Sequence, residues 1–165
     1  MSDKKLAKKA EKLLAMYRKK KLKIAAAESC TGGLITTLLT NIPGSSDVLD
    51  RGFVTYSDQS KTDMLGVDAG LIKKHGAVSK EVAEAMARGV LKYSKADVAI
   101  AVTGIAGPSG GTKKKPVGLV YIATASRHYK DAVVVRNIFK GKRTAVREKS
   151  ADKSLTILKN LQAFF

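Results

Sequence analysis

Ser29, Cys30 and Thr31 stand side by side in the segment Glu28-Ser29-Cys30-Thr31-Gly32-Gly33, directly after the short apolar run 22–27. Each is a hydroxyl or thiol that can act as a nucleophile, and a turn leaving a buried strand for a helix is a natural place to present one. Gly32 and Gly33 allow the backbone to approach a ligand closely, and the start of the following helix offers N–H groups with partial positive charge. Such a turn can cradle a phosphate or hold a nucleophile beside an oxyanion site. The same residues also suit simple N-capping, and spacing alone does not separate the readings.

Three other segments carry chemistry. In Thr55-Tyr56-Ser57-Asp58-Gln59-Ser60-Lys61 a desolvated lysine can supply the base that a serine without a histidine needs, with Tyr56 relaying or orienting the proton. Taken alone, the pair reads first as a core tyrosine and a surface lysine. Thr103-Gly104-Ile105-Ala106-Gly107-Pro108 ends a continuous apolar run, and open α/β sheets bind ligands at strand ends. Gly141-Lys142-Arg143-Thr144-Ala145-Val146-Arg147 opens the last helix, where Arg143 or Arg147 can meet a phosphate.

Other chemistries lack their marks. There is no His-Glu-x-x-His and no paired-cysteine spacing, and His75 and His128 are isolated, so no metal is expected. Gly32-Gly33 is not followed by Lys-Ser or Lys-Thr, so the P-loop pattern is incomplete. Together the segments point to a small anionic ligand at strand ends and leave the reaction open.

The elements that position them follow from periodicity. Residues 4–18 place Leu6, Ala10, Leu13, Leu14 and Tyr17 on one helical face. Residues 22–27 read as a buried strand, 34–40 as a helix with Ile35, Leu38 and Leu39 inward, and 48–56 as a strand ending at Tyr56. Polar residues 57–61 lead into short helices as far as His75. Ser79 caps the next helix, whose inner face is Val82, Met86, Val90 and Tyr93. Residues 97–103 form a central strand covered on both sides. Residues 104–116 hold four glycines and two prolines, too many for a regular element. Strands follow at 117–125 and 132–139, joined as an antiparallel pair, and a helix at 142–162 turns Ala151, Leu155, Leu158 and Leu161 inward. The order α, β, α, β, α, α, β, β, β, α predicts a single domain: a three-layer α/β/α sandwich around a mixed sheet.

Bulk properties agree. The 165 residues are 44% hydrophobic and 27% charged, as in an ordinary globular domain. The lone Cys30 permits no internal disulfide, and no apolar run approaches the ~18 residues of a membrane helix. A cytoplasmic protein is expected. The formal charge of +17 is high and invites nucleic acid as a partner, yet no aromatic residues alternate with the lysines as base stacking would want.

The quoted segments, with Gly52-Phe53-Val54-Thr55-Tyr56-Ser57, His75-Gly76-Ala77-Val78-Ser79 and Lys115-Pro116-Val117-Gly118, occur in an order and spacing that resembles the CinA C-terminal domain family, the PncC-type nicotinamide-nucleotide amidohydrolases. The resemblance runs from Leu6 to Leu161. It implies hydrolysis of nicotinamide mononucleotide to nicotinate mononucleotide and ammonia without metal or other cofactor, and frequent homodimerisation. It also implies a stand-alone form of a domain that elsewhere follows a pyrophosphatase-type one. Carried over by position, Ser29 is the nucleophile or its close partner, and Tyr56 and Lys61 handle protons. Thr31, Gly32, Gly33, Thr103, Gly104, Ala106 and Gly107 hold the amide oxygen and the nucleotide, and Arg143 faces the phosphate. Asp58, Lys142, Lys113 and Lys114 depart from the family's usual Asn or acidic residues. The rivals are a non-catalytic nucleotide or nucleic-acid binding protein, which the charge favours, and an amidase for another nucleotide amide; the former predicts salt-sensitive binding without ammonia release.

Overall fold

Alternate residues of the strand Ile24–Glu28 (β1) face two different apolar layers, as a strand buried on both sides must. Ile24 and Ala26 face one layer, Ala25 and Ala27 the other. The computed structural model describes residues 3–161. Over that span the elements are α1 (Asp3–Lys19), β1, α2 (Leu34–Thr40), β2 (Leu49–Val54), α3 (Asp58–Leu65), α4 (Ala69–His75), α5 (Lys80–Lys92), β3 (Val98–Gly104), β4 (Leu119–Ser126), β5 (Tyr129–Ile138) and α6 (Arg143–Leu161). A single 3-10 turn, Ser45–Asp47, interrupts the loop before β2.

The five strands form one mixed sheet in the order β2-β1-β3-β4-β5. β1 pairs parallel to β2 and β3, whereas β3–β4 and β4–β5 are antiparallel. α1, α2 and α6 cover one face and α3, α4 and α5 the other, giving the expected α/β/α sandwich. The first layer is built on Leu13, Leu14 and Tyr17 of α1 against Val146, Leu155 and Leu158 of α6. Each such leucine, fully buried, contributes about 1.5–3 kcal/mol. Polar clasps fix the register of the two helices: Tyr17 donates to the Leu158 carbonyl at 2.9 Å, and Lys9 pairs with Asp152 and donates to Thr156 Oγ1 at 2.9 Å. The second layer is tighter. A Cβ on Gly89 of α5 would stand 2.2 Å from the Leu65 carbonyl oxygen, so only glycine lets α5 approach α3 there.

This topology gathers the candidate segments. β1, β2 and β3 are parallel, so residues 29–33, 55–57 and 105–107 leave the sheet at the same edge. β5 runs in the same sense, because two antiparallel steps separate it from β3, and α6 therefore begins at that edge as well.

The structure corrects several expected boundaries. β2 stops at Val54, so Tyr56 lies beyond the strand, and the short helices expected as far as His75 are two, separated at Gly66. β4 starts at Leu119 instead of 117: Gly118 sits at φ 90, where a Cβ would stand 2.1 Å from the Phe139 carbonyl oxygen, and the chain turns there before pairing. β5 begins at Tyr129, so the hairpin is tighter than expected. Tyr93, placed on the inner face of α5, is its exposed C-cap. Gln162, the expected end of the last helix, lies outside the described residues.

Candidate active site

Lys61 sits one turn into α3, a helix capped by Ser57, whose hydroxyl accepts from Ser60 N at 3.1 Å. Helical side chains lean toward the N-terminus. That carries the Lys61 amine back under the preceding turn, where only 1% of the residue is exposed. Nζ meets the carbonyls of Thr55 at 3.0 Å and Ser57 at 3.3 Å, with that of Tyr56 at 3.5 Å, and faces Ser29 Oγ at 3.2 Å. Two residues separated by 32 positions thus form a direct pair.

Burial disfavours the charged form of the Lys61 amine. Burial pushes the Lys61 pKa below the ordinary lysine value, against the Asp58 carboxylate at 3.9 Å and Cys30, which act to raise it. The positive end of α3 opposes a cation in its first turn. A neutral amine has two N–H donors and one lone pair. In that form the two nearer carbonyls can take the donors, which leaves the lone pair for the Ser29 hydroxyl proton. The arrangement can serve a serine nucleophile with a lysine base.

Cys30, adjacent to Ser29, differs in kind. Burial pushes its thiol up to about 12, so it carries no appreciable thiolate at neutral pH. It packs in the core beside the α1–α6 layer.

The pair opens into a cavity of about 230 Å³ whose walls include Tyr56, Thr103, Gly104, Ala106 and Arg143. Thr103 Oγ1 donates to the Ala77 carbonyl at 2.9 Å and ties the loop before α5 to β3; Ala77 and Val78 line the same cavity. Gly104 is excluded from being larger by Val120, whose Cγ2 lies 2.7 Å from a hypothetical Cβ. Arg143, the first residue of α6, donates to the Gly107 carbonyl and to the Tyr56 hydroxyl, both at 2.8 Å. It also lines a second chamber of about 630 Å³ shared with Ala106, Pro108, Val117, Gly141 and Lys142. Ala106 and Arg143 are common to both, so the chambers adjoin and together make a two-part cleft divided by Arg143. Lys115 Nζ donates to the His75 carbonyl at 2.6 Å and pins the 105–118 loop beside it.

Some expected roles fall differently. Only the main-chain carbonyl of Tyr56 faces Lys61; its 60% exposed phenol is held by Arg143. Thr31, Gly32 and Gly33 shape the turn without lining the cavity, with Gly32 and Gly33 at φ 57 and 92 and the Thr31 carbonyl held by Arg147 at 2.8 Å. The helix start in that turn is not free for a phosphate. The buried Glu28 carboxylate occupies it, accepting from Ile35 N at 3.0 Å and from Thr36 N and Oγ1 at 2.8 Å. An acid that ends a buried alanine strand is the signal that marks Glu28; in the cavity wall itself, Asp58, Ala77 and Val78 had no role assigned from the sequence. Among the described residues no cluster of three or more His, Cys, Asp or Glu could hold a metal ion, and no helix is long and apolar enough to cross a membrane.

Comparison with known proteins places the geometry in context. The sequence pattern described as CinA C-terminal domain matches residues 6–162. CinA-like proteins of Syntrophobacter fumaroxidans and Desulfotalea psychrophila are 48% and 52% identical, each over 86% of this chain. The chain spans about a third of the length of the curated relatives it matches. Among solved structures, the competence/damage inducible protein CihA from Agrobacterium tumefaciens superposes with a TM-score of 0.93 at 42% identity, over 98% of this chain and 96% of that one. A CinA superfamily protein from Klebsiella pneumoniae gives 0.90 at 30% identity over the full length of both chains.

Proposed function

This chain belongs to the CinA C-terminal domain family, and from that premise we propose that it is an amidohydrolase converting the carboxamide of nicotinamide mononucleotide to nicotinate mononucleotide and ammonia. The observation that carries the reading is the 3.2 Å approach of the buried Lys61 amine to Ser29 Oγ at the wall of a nucleotide-sized cleft.

In this mechanism Lys61 takes the hydroxyl proton as Ser29 Oγ attacks the carboxamide carbon. The oxygen gains negative charge, for which the N–H group after Ser29, at Cys30 in the cavity wall, is the natural donor. Collapse breaks the C–N bond, and the Lys61 ammonium returns its proton to the departing nitrogen, releasing ammonia and leaving an ester on Ser29. A water then gives a proton to the neutral Lys61 and attacks the ester. The second collapse restores the serine hydroxyl and frees the carboxylate. The loop at Thr103–Gly107 flanks the ring and ribose. Lys142 and Arg143 serve the phosphate in the larger chamber, which predicts that the riboside, lacking that phosphate, reacts roughly ten- to a hundredfold less efficiently.

The test is incubation of the purified chain with nicotinamide mononucleotide, without added metal, while ammonia and nicotinate mononucleotide are measured together. Equal amounts of both, lost in Ser29→Ala, support the reading. Binding without ammonia release returns the protein to the class of non-catalytic nucleotide binders.

A further inference from the structure

Among the described residues, Asp58 is the one acid lining either chamber of the cleft. It stands there in a chain with 31 basic and 14 acidic residues. Its carboxylate lies 3.9 Å from Lys61 Nζ, beyond a direct hydrogen bond. Lys142 lines the larger chamber and Arg143 lines both. The one negative side chain therefore stands in the Ser29 chamber, and the basic groups continue into the larger chamber beyond it. With Lys61 neutral, a cationic group beside Ser29 gains an attraction to Asp58 that an anionic or neutral one does not.

We infer that Asp58 makes this cleft selective for zwitterionic amides, with a cationic ring beside the reacting carboxamide and an anionic tail at Lys142 and Arg143. The inference rests on the amidohydrolase reading and adds a specificity determinant to it. A carboxamide on a pyridinium ring brings its positive charge within a few ångströms of the carbonyl that Ser29 attacks, which is the region Asp58 faces. The cation of the ring replaces the ammonium as the charge partner of Asp58 when Lys61 is in its neutral, reactive state. Asp58 is also the first residue of α3, where an acid suits the helix dipole, but that role would affect every ligand alike.

The experiment separates the two roles. Calorimetry on Ser29→Ala protein compares nicotinamide mononucleotide with its reduced dihydropyridine form, which keeps the carboxamide, ribose and phosphate but has a neutral ring. Because Asp58 is largely exposed, the cationic form is expected to bind roughly five- to tenfold more tightly. Adding Asp58→Asn should bring the two affinities within about twofold, chiefly by weakening the cationic form. A ratio unchanged by Asp58→Asn, or an equal loss for both forms, overturns the inference, and ammonia release by the wild-type chain would then leave the amidohydrolase reading standing. Binding of neither form removes the substrate reading and this inference with it.

Discussion

The Tyr56 hydroxyl accepts a hydrogen bond from Arg143 Nη2 at 2.8 Å, across 87 positions of sequence. The bond joins the end of the β2 segment to the start of α6 and holds Arg143 between the two chambers. On the proposed mechanism Tyr56 positions the ligand and proton transfer falls to Lys61. Tyr56→Phe keeps the ring and removes the bond, so kcat for nicotinamide mononucleotide should stay within about threefold while KM rises. A loss of kcat of a hundredfold or more at unchanged KM would make the phenol a proton carrier.

Cys30 provides a second separation. With its thiol pushed up to about 12 by burial, it is predicted to be a poor nucleophile and slow to alkylate. Cys30→Ala should keep most of the activity, and iodoacetamide at neutral pH should leave the native chain active. Rapid inactivation with one equivalent bound would make this a thiol enzyme.

Glu28 is predicted to hold the turn rather than react. Its carboxylate accepts three hydrogen bonds from the start of α2, two of them from main-chain N–H groups. Glu28→Gln turns an amide donor toward donors and removes the charge, at a cost of about 2 kcal/mol and roughly 4–8 °C in Tm. An unchanged melting curve would show that α2 needs no such anchor.

The layers of this fold were legible in the sequence because each has a simple period. The apolar face of α1 and the continuous runs of β1 and β3 are written in consecutive residues. The boundaries at Val54, Leu119 and Tyr93 were not, because they depend on long-range packing. Gly118 turns where it does because Phe139 lies against it, and Tyr93 lies outside because α5 ends at that residue. At the site, Ser29 and Lys61 were candidates from their residue types and were joined in one mechanism by the family resemblance, since nothing in their spacing reveals a contact. The role of Glu28 was hidden for a related reason: an acid after an alanine strand looks like the beginning of a loop until the strand end is seen to fold over a helix start.

Lys61 and Asp58 predict a pH dependence with a definite sign. The reactive amine is neutral, so kcat/KM should rise with pH through the Lys61 pKa and then level. Burial places that limb below the ordinary lysine range, while Asp58 and Cys30 act to raise it. Arg143, which lines the same cavity, and the N-terminal dipole of α3 add positive potential against the ammonium. Asp58→Asn removes a group that stabilises the ammonium, so the limb should move to lower pH. A shift to higher pH would mean that the carboxylate does not act on Lys61 through its charge.

The central claim is that neutral Lys61 takes the proton of Ser29, and Lys61→Arg tests it most directly. A guanidinium keeps the positive charge and the donors but does not lose its proton in the working pH range. Ammonia release from nicotinamide mononucleotide should fall by roughly a thousandfold or more in kcat/KM, with the variant folded and still binding substrate. Near-normal kcat/KM in Lys61→Arg would contradict the account, because Lys61 would then act as a fixed charge and Ser29 would need another base.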